Sequence, residues 1–184
     1  MIPPDRELIT RVEESRPTVL TRIPVGVVVE RRKAESPWLD FLCRPVAVLA
    51  GVPTAEPWTV INRDGDATTF YAGHAMIELY RTETANYRDN LACGNPMVWV
   101  VLRPTRTEAQ FDLLMVTVDP AEGEALTGVG NDVVEAVPMP FPITQIVESF
   151  IAEYHVEQPF FKRRRDRSGA ASPASRTGAS EDDG

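Results

Sequence analysis

Apolar and polar positions change period several times along the chain, and each change marks an expected element. The most apolar stretch is Met97-Val98-Trp99-Val100-Val101-Leu102-Arg103, opened by Asn95-Pro96 and closed by Pro104. An unbroken run of β-branched and aromatic residues reads as a strand buried on both faces. Residues 111–119 follow a polar loop and should pair with it antiparallel. Earlier, Val25, Val27 and Val29 alternate with Gly26, Val28 and Glu30 up to Arg31-Arg32-Lys33, which predicts a strand with one face buried.

Residues 42–49 predict a second strand. Pro45 inside it cannot donate to a ladder, which demotes it to an edge or bulged strand. Residues 58–62 and 67–71 flank Arg63-Asp64-Gly65-Asp66, a favoured centre for a tight hairpin. Gly73 interrupts, and residues 75–80 continue as another strand or the far side of a bend. A strand is also expected over residues 132–137.

Helical spacing appears in four places. Leu8, Ile9 and Val12 suggest a short helix over residues 5–14, stopped by Pro17. Residues 82–92 predict a helix with Thr82 as N-cap, Gly94 past its end, and Thr84, Tyr87 and Leu91 on one face. Asp119-Pro120-Ala121-Glu122 combines an N-cap aspartate, proline at the first helical position and glutamate at the third, and Gly128 ends that helix. Pro142 opens the last helix, where Ile143, Ile146, Val147, Phe150, Ile151 and Tyr154 form an apolar stripe.

These elements predict an α+β fold, mostly an antiparallel twisted sheet of about six to eight strands with about three helices. The sheet is expected to curl into a partial barrel or sandwich, with a flatter sheet crossed by the last helix as the alternative. The expected core is Val27, Val29, Val46, Val48, Val60, Phe70, Leu79, Val98, Val100, Leu102, Leu114, Val116, Ile146 and Phe150. Residues 1–21 read as an N-terminal arm, 22–160 as a single domain, and 161–184 as a basic segment followed by a disordered C-terminal tail.

Charge sharpens the picture. Residues 1–160 hold 13 Lys and Arg against 23 Asp and Glu, whereas residues 161–184 hold 6 against 4. An acidic body makes nucleic acid an unlikely partner, because phosphate binding rests on Lys and Arg. No stretch is long and apolar enough to span a bilayer, and the charged N-terminus carries no secretory signal, so a cytoplasmic location is expected. Cys43 and Cys93 are too few for a disulfide framework. With His74 and His155 they show no metal-ligand spacing, and neither metal nor cofactor is expected.

Candidate chemistry is sparse. Gly128-Val129-Gly130-Asn131 resembles half of a nucleotide-binding glycine loop, but it follows a helix and precedes a strand, the reverse of the order phosphate cradling needs. No G-x-S-x-G nucleophile turn is present, and no catalytic residue is assigned. The densest polar cluster is Tyr80-Arg81-Thr82-Glu83-Thr84-Ala85-Asn86-Tyr87-Arg88-Asp89-Asn90. It reads either as a solvated helix surface with Tyr87 on the sheet, or as a ligand site. In the second reading Arg44, Arg81, Tyr87, Arg88 and Asn90 face an anion. Phe160, Phe161, Lys162, Arg163, Arg164 and Arg165 form a second candidate, aromatic anchors followed by cations that would steer the chain to an acidic partner. The bland alternative is a solvated helix exit.

Several strings together resemble a known family. They are Ile23-Pro24-Val25-Gly26-Val27-Val28-Val29-Glu30-Arg31-Arg32, Ser36-Pro37-Trp38, Arg44-Pro45-Val46-Ala47-Val48-Leu49, Trp58-Thr59-Val60, Phe70-Tyr71-Ala72-Gly73, Glu78-Leu79-Tyr80-Arg81-Thr82-Glu83-Thr84, Tyr87-Arg88-Asp89-Asn90-Leu91 and Phe160-Phe161-Lys162-Arg163. The resemblance, over residues 22–167, is to a bacterial family of unknown function. Its members are often encoded beside formate dehydrogenase and other molybdoenzyme accessory genes, and some carry a label invoking molybdopterin-guanine dinucleotide biosynthesis. It implies an accessory or assembly protein in molybdoenzyme maturation that binds a protein partner, a molybdoenzyme or one of its maturation factors. The alternative is a small enzyme or carrier handling a nucleotide- or pterin-like ligand.

Overall fold

A computed structural model describes residues 19–35, 41–106, 110–128 and 130–156. The expected helix over 5–14, the turn at Ser36-Pro37-Trp38 and the tail over 161–184 lie outside these residues. The described chain runs β1 (Val19–Lys33), β2 (Phe41–Ala50), β3 (Thr59–Asp64), β4 (Ala67–Tyr80), α1 (Thr84–Ala92), β5 (Met97–Pro104), β6 (Phe111–Thr117), α2 (Pro120–Leu126), β7 (Val133–Pro138) and α3 (Phe141–Tyr154). A 3-10 turn (Arg81–Glu83) leads directly into α1.

The strands form two antiparallel sheets, one of four strands in the order β2-β1-β4-β3 and one of three in the order β6-β5-β7. They meet along both flanks, β6 against β4 and β7 against β2. The α+β class with an antiparallel sheet is therefore observed, with the strands divided between two sheets.

Alternation decides what each strand buries. Val25, Val27 and Val29 of β1 point inward and are fully buried. In β5 the unbroken apolar run is explained by its central place. Val98, Val100, Val101 and Leu102 are all inaccessible to solvent, and β7 pairs with residues 97–102 while β6 pairs with residues 99–104.

Among the register shifts of the larger sheet, two fall where the sequence signals a break. Pro45 sits in edge strand β2, and the register slips between Val28 and Val29, which face Ala47 and Pro45. Val46 is the residue left over, and it is half-buried where the sequence placed it in the core. The break expected at Gly73 is instead a bulge inside one continuous strand. Val27 faces Gly73 and Val28 faces Tyr71, leaving Ala72 extra, and Gly73 carries φ +130°. The β3–β4 hairpin forms at the expected place. Its two loop residues are Gly65 and Asp66, with Gly65 (φ +54°) first, the position a type II′ turn reserves for glycine.

Helix ends follow local chemistry. Asp119 caps α2, its Oδ1 accepting from the N–H groups of Ala121 (2.8 Å) and Glu122 (3.4 Å), with Pro120 in the first turn. Thr82 is not the N-cap of α1, because the 3-10 turn already occupies that position and the helix starts without a side-chain cap. Gly94, φ +82°, follows the last turn as expected. On α3 only Ile143, Val147 and Phe150 are buried, a narrower stripe than the sequence suggests, and Ile146 is 40% exposed. Val60 and Leu114 also face outward. Strand alternation fixes which residues share a face, but not which face the second sheet covers.

Candidate functional site

The helix α1 has two unlike faces, and they separate the residues of the polar cluster. Tyr87 and Asn90 turn inward. Tyr87 is 1% exposed, packs at a tilt against Phe150 (ring centroids 6.2 Å apart), and its hydroxyl accepts from the Tyr80 N–H at 3.1 Å. Burial raises its phenol well above the usual tyrosine range. Asn90 is consumed by backbone bonds to Met97 and Val118. Neither faces an anion. Arg44 is elsewhere too, on β2, where it is the cross-strand partner of Glu30 at 3.2 Å. Phe160, Phe161, Lys162, Arg163, Arg164 and Arg165 lie outside the described residues.

Arg81 and Arg88 are brought together. Arg81, in the 3-10 turn, and Arg88, on α1, both line a groove of ≈ 940 Å³ with Thr84. The opposite wall is the end of α3, contributed by Tyr154, His155 and Val156. Among the described residues that line this groove there is no Asp or Glu. The helices are held in place by the Tyr87–Phe150 contact and by Asn86, whose Nδ2 donates to Asp119 Oδ2 at 3.0 Å.

One hydrogen-bonded chain crosses the groove. Arg88 Nη1 lies 3.0 Å from His155 Nε2, and His155 Nδ1 lies 3.1 Å from Thr84 Oγ1. Thr84 Oγ1 donates in turn to the Arg81 carbonyl at 3.3 Å. A guanidinium has only hydrogens to offer, so Nε2 must accept and the imidazole proton sits on Nδ1, donating to Thr84. His155 and Thr84 were missed by sequence reasoning. They are 71 positions apart, and no local spacing signals their contact.

Other polar groups are spoken for structurally. Arg103 grips Asp132 with two parallel bonds of 3.0 and 2.8 Å, joining β5 to the turn before β7. Glu78 accepts from Tyr80 (2.7 Å) and Arg22 (2.9 Å), which holds its carboxyl below the usual range, and the Tyr80 hydroxyl is pushed up to about 12, first by that same bond. Among the described residues no three His, Cys, Asp or Glu side chains gather as a metal site, and no helix is long and apolar enough to cross a membrane.

No curated protein and no solved structure matches the chain. Residues 24–165 match a family described as a protein of unknown function, DUF3305. That span takes in every described strand and helix except the first five residues of β1, and the chain belongs to this family.

Proposed function

We propose that this protein acts by binding, seating an anionic stretch of a protein partner in the groove between α1 and the end of α3. The observation that carries this reading is the groove's lining, which among the described residues holds two arginines and no carboxylate, in a chain of net charge −8. A cationic cleft in an acidic body attracts carboxylate-rich segments there and repels them elsewhere. Following the family resemblance, the partner is a molybdoenzyme of the formate dehydrogenase type or one of its maturation factors, and the protein is an accessory in assembly.

Titration of a blocked penta-aspartate peptide by calorimetry tests the groove. Charge-assisted bonds are worth about 1.5–3 kcal/mol each, so Arg81→Ala with Arg88→Ala should weaken binding by roughly tenfold or more. Equal affinity of the double variant refutes the site. Co-purification with a formate dehydrogenase from a host that produces one tests the partner. Recovery of the enzyme with the wild type but not the double variant supports it, and recovery with neither refutes it.

A second reading rests on the groove's size. A volume of ≈ 940 Å³ falls inside the range of about 300–1,000 Å³ common for small-molecule sites. A nucleotide- or pterin-like ligand would then raise the melting temperature, and Arg88→Ala would abolish the rise. No rise with any such compound rejects it.

A further inference from the structure

We propose that the cleft between β4 and β6 holds a soft monovalent metal ion of the Cu(I) type, with the His74 imidazole and the Met76 and Met115 thioethers as its ligands. The site lies apart from the groove between α1 and α3 and does not depend on how that groove is read.

Strand geometry brings the three donors to one place. Ile77 and Leu79 of β4 point inward and are fully buried, so His74, Met76 and Glu78 alternate onto the outer face. On β6, Val116 pairs opposite Val100 and is buried in the core, which turns Met115 outward. β3 pairs with β4 over residues 67–71 only, and among the described residues β6 pairs with β5 alone. The rest of β4 and the second edge of β6 therefore meet at the seam between the sheets, where a cleft of ≈ 280 Å³ opens. His74 and Met76 are two residues apart on one strand, roughly 7 Å along the backbone. Met115 comes from the other wall. Three rotatable bonds in each methionine let its sulfur swing onto an ion.

The donor set selects the ion. No three His, Cys, Asp or Glu side chains gather among the described residues, so the ligands Zn²⁺ favours are not assembled there. Thioether sulfur is a soft donor that suits Cu(I), and imidazole also binds copper. The chain has five methionines and two histidines, and this one small cleft is lined by two of the former and one of the latter. The spacing of histidines and cysteines along the sequence could not reveal the set, because two of its members are methionines on different strands.

The surroundings suit such an ion. Leu113, Leu114 and Val116 line the same cleft and give the sulfurs an apolar setting, which limits competition from water. Three neutral ligands leave the single positive charge in place. Glu122 of α2 adds a carboxylate to the lining, and so does Glu78, which also accepts from Arg22 and Tyr80. No Lys or Arg is among the described residues that line the cleft.

Ag(I), an air-stable stand-in with the same ligand preference, is titrated in chloride-free buffer into the full chain carrying isotope-labelled methionine methyl groups. A Cys93→Ser background removes the exposed thiol, which would itself take the ion. The methyl signals of Met76 and Met115, assigned through Met76→Leu and Met115→Leu, should shift together and saturate at one equivalent, while that of buried Met139 stays in place. Leucine for methionine conserves volume, so both variants should melt near the wild-type temperature. Loss of an outer-shell partner weakens metal sites roughly 10–100-fold, so loss of a ligand in Met76→Leu, Met115→Leu or His74→Gln should weaken binding at least about tenfold. Cu(I) kept reduced by ascorbate and competed against bicinchoninate should show the same dependence on all three residues, and Zn²⁺ should leave both methyl signals unmoved. Binding by the Arg81→Ala, Arg88→Ala double variant should equal that of the wild type, which separates this result from that for the groove. The site is overturned if neither methyl shifts, if Met115 responds unchanged in Met76→Leu, or if Zn²⁺ moves the same signals at the same concentration.

Discussion

The carboxamide of Asn90 meets both main-chain groups of Met97. Its Nδ2 donates to the Met97 carbonyl at 2.8 Å and its Oδ1 accepts from the Met97 N–H at 3.0 Å, while the second Nδ2 hydrogen reaches the Val118 carbonyl at 2.8 Å. β6 ends at Thr117, where the chain swings into the α2 cap. The side chain of Asn90 thus stands in for the missing ladder at the start of β5. Asn90→Asp would set a carboxylate oxygen against two carbonyls in a site 4% exposed. Leaving buried groups unpaired costs about 1–3 kcal/mol apiece, so the melting temperature should fall by roughly 5–10 °C. A wild-type melting curve for Asn90→Asp would show that the amide is not the bridge.

Gly123 gives a prediction that opposes helix propensity. It lies inside α2, where alanine is normally better by about 1 kcal/mol. Here the ideal Cβ position is occupied by the Trp99 indole of β5, whose Cγ, Cδ1 and Cδ2 all lie in contact with it. Overpacking of this kind costs about 1–3 kcal/mol, and the clash should win. Gly123→Ala is expected to be less stable by roughly 1–2 kcal/mol in denaturant titration. In a Trp99→Leu background the penalty should shrink or change sign, and its persistence would locate the strain elsewhere.

Cys43 and Cys93 should differ sharply in reactivity. Burial pushes the Cys43 thiol up to about 11, with Arg31 pulling weakly the other way. Cys93 is exposed, its sulfur resting on the carbonyls of Asn90 and Asn95. Near pH 8 an alkylating reagent should therefore label one thiol in the folded chain and two in denaturant. The raised thiol also sets a pH window. Its folded value exceeds its unfolded value of 9.0, so its contribution is fully present below pH 9 and is lost as the pH climbs towards about 11. Cys43→Ala should flatten the stability profile over that interval. An unchanged alkaline slope would show that other groups, Tyr87 and Tyr80 among them, account for it.

Much of the fold was legible because local rules and tertiary context agreed. Val25, Val27 and Val29 alternate and are buried as a set, and Asp119-Pro120-Ala121-Glu122 starts a helix with the capping bonds its residues imply. Pro45 marked both an edge and a bulge. What failed needed knowledge of the facing element. Val60 of β3 and Leu114 of β6 alternate as core residues would, but nothing covers their side among the described residues. In the site, Arg81 and Arg88 were named as cations of one dense polar cluster, and the structure places both on one groove. Tyr87 and Asn90 looked equally polar, and only the packing of α3 and the start of β5 shows that they are structural. The imidazole of His155 carried no signal at all, since its partners come from a helix 67 and 71 positions earlier in the chain.

Tyr71 supplies the last prediction. It pairs opposite Val28 at the β4 bulge, is 3% exposed, and its hydroxyl has no hydrogen-bond partner among the described residues. The ring itself is tightly held. An added Cβ at Gly26 would meet the Tyr71 Cε2 at 3.0 Å and the Pro53 Cδ at 2.9 Å. The ring fills space that the bulge and the loop after β2 enclose, while the oxygen is buried without return. A buried, unpaired hydroxyl costs about 1–3 kcal/mol, and removing it without changing the ring is neutral or favourable. Tyr71→Phe should therefore melt at or above the wild-type temperature. Gly26→Ala should melt below it, because the new methyl must displace the ring or the proline. If Tyr71→Phe instead loses more than about 1 kcal/mol in denaturant titration, the hydroxyl has a bonding partner that secures the loop, and the ring is not the part that matters there.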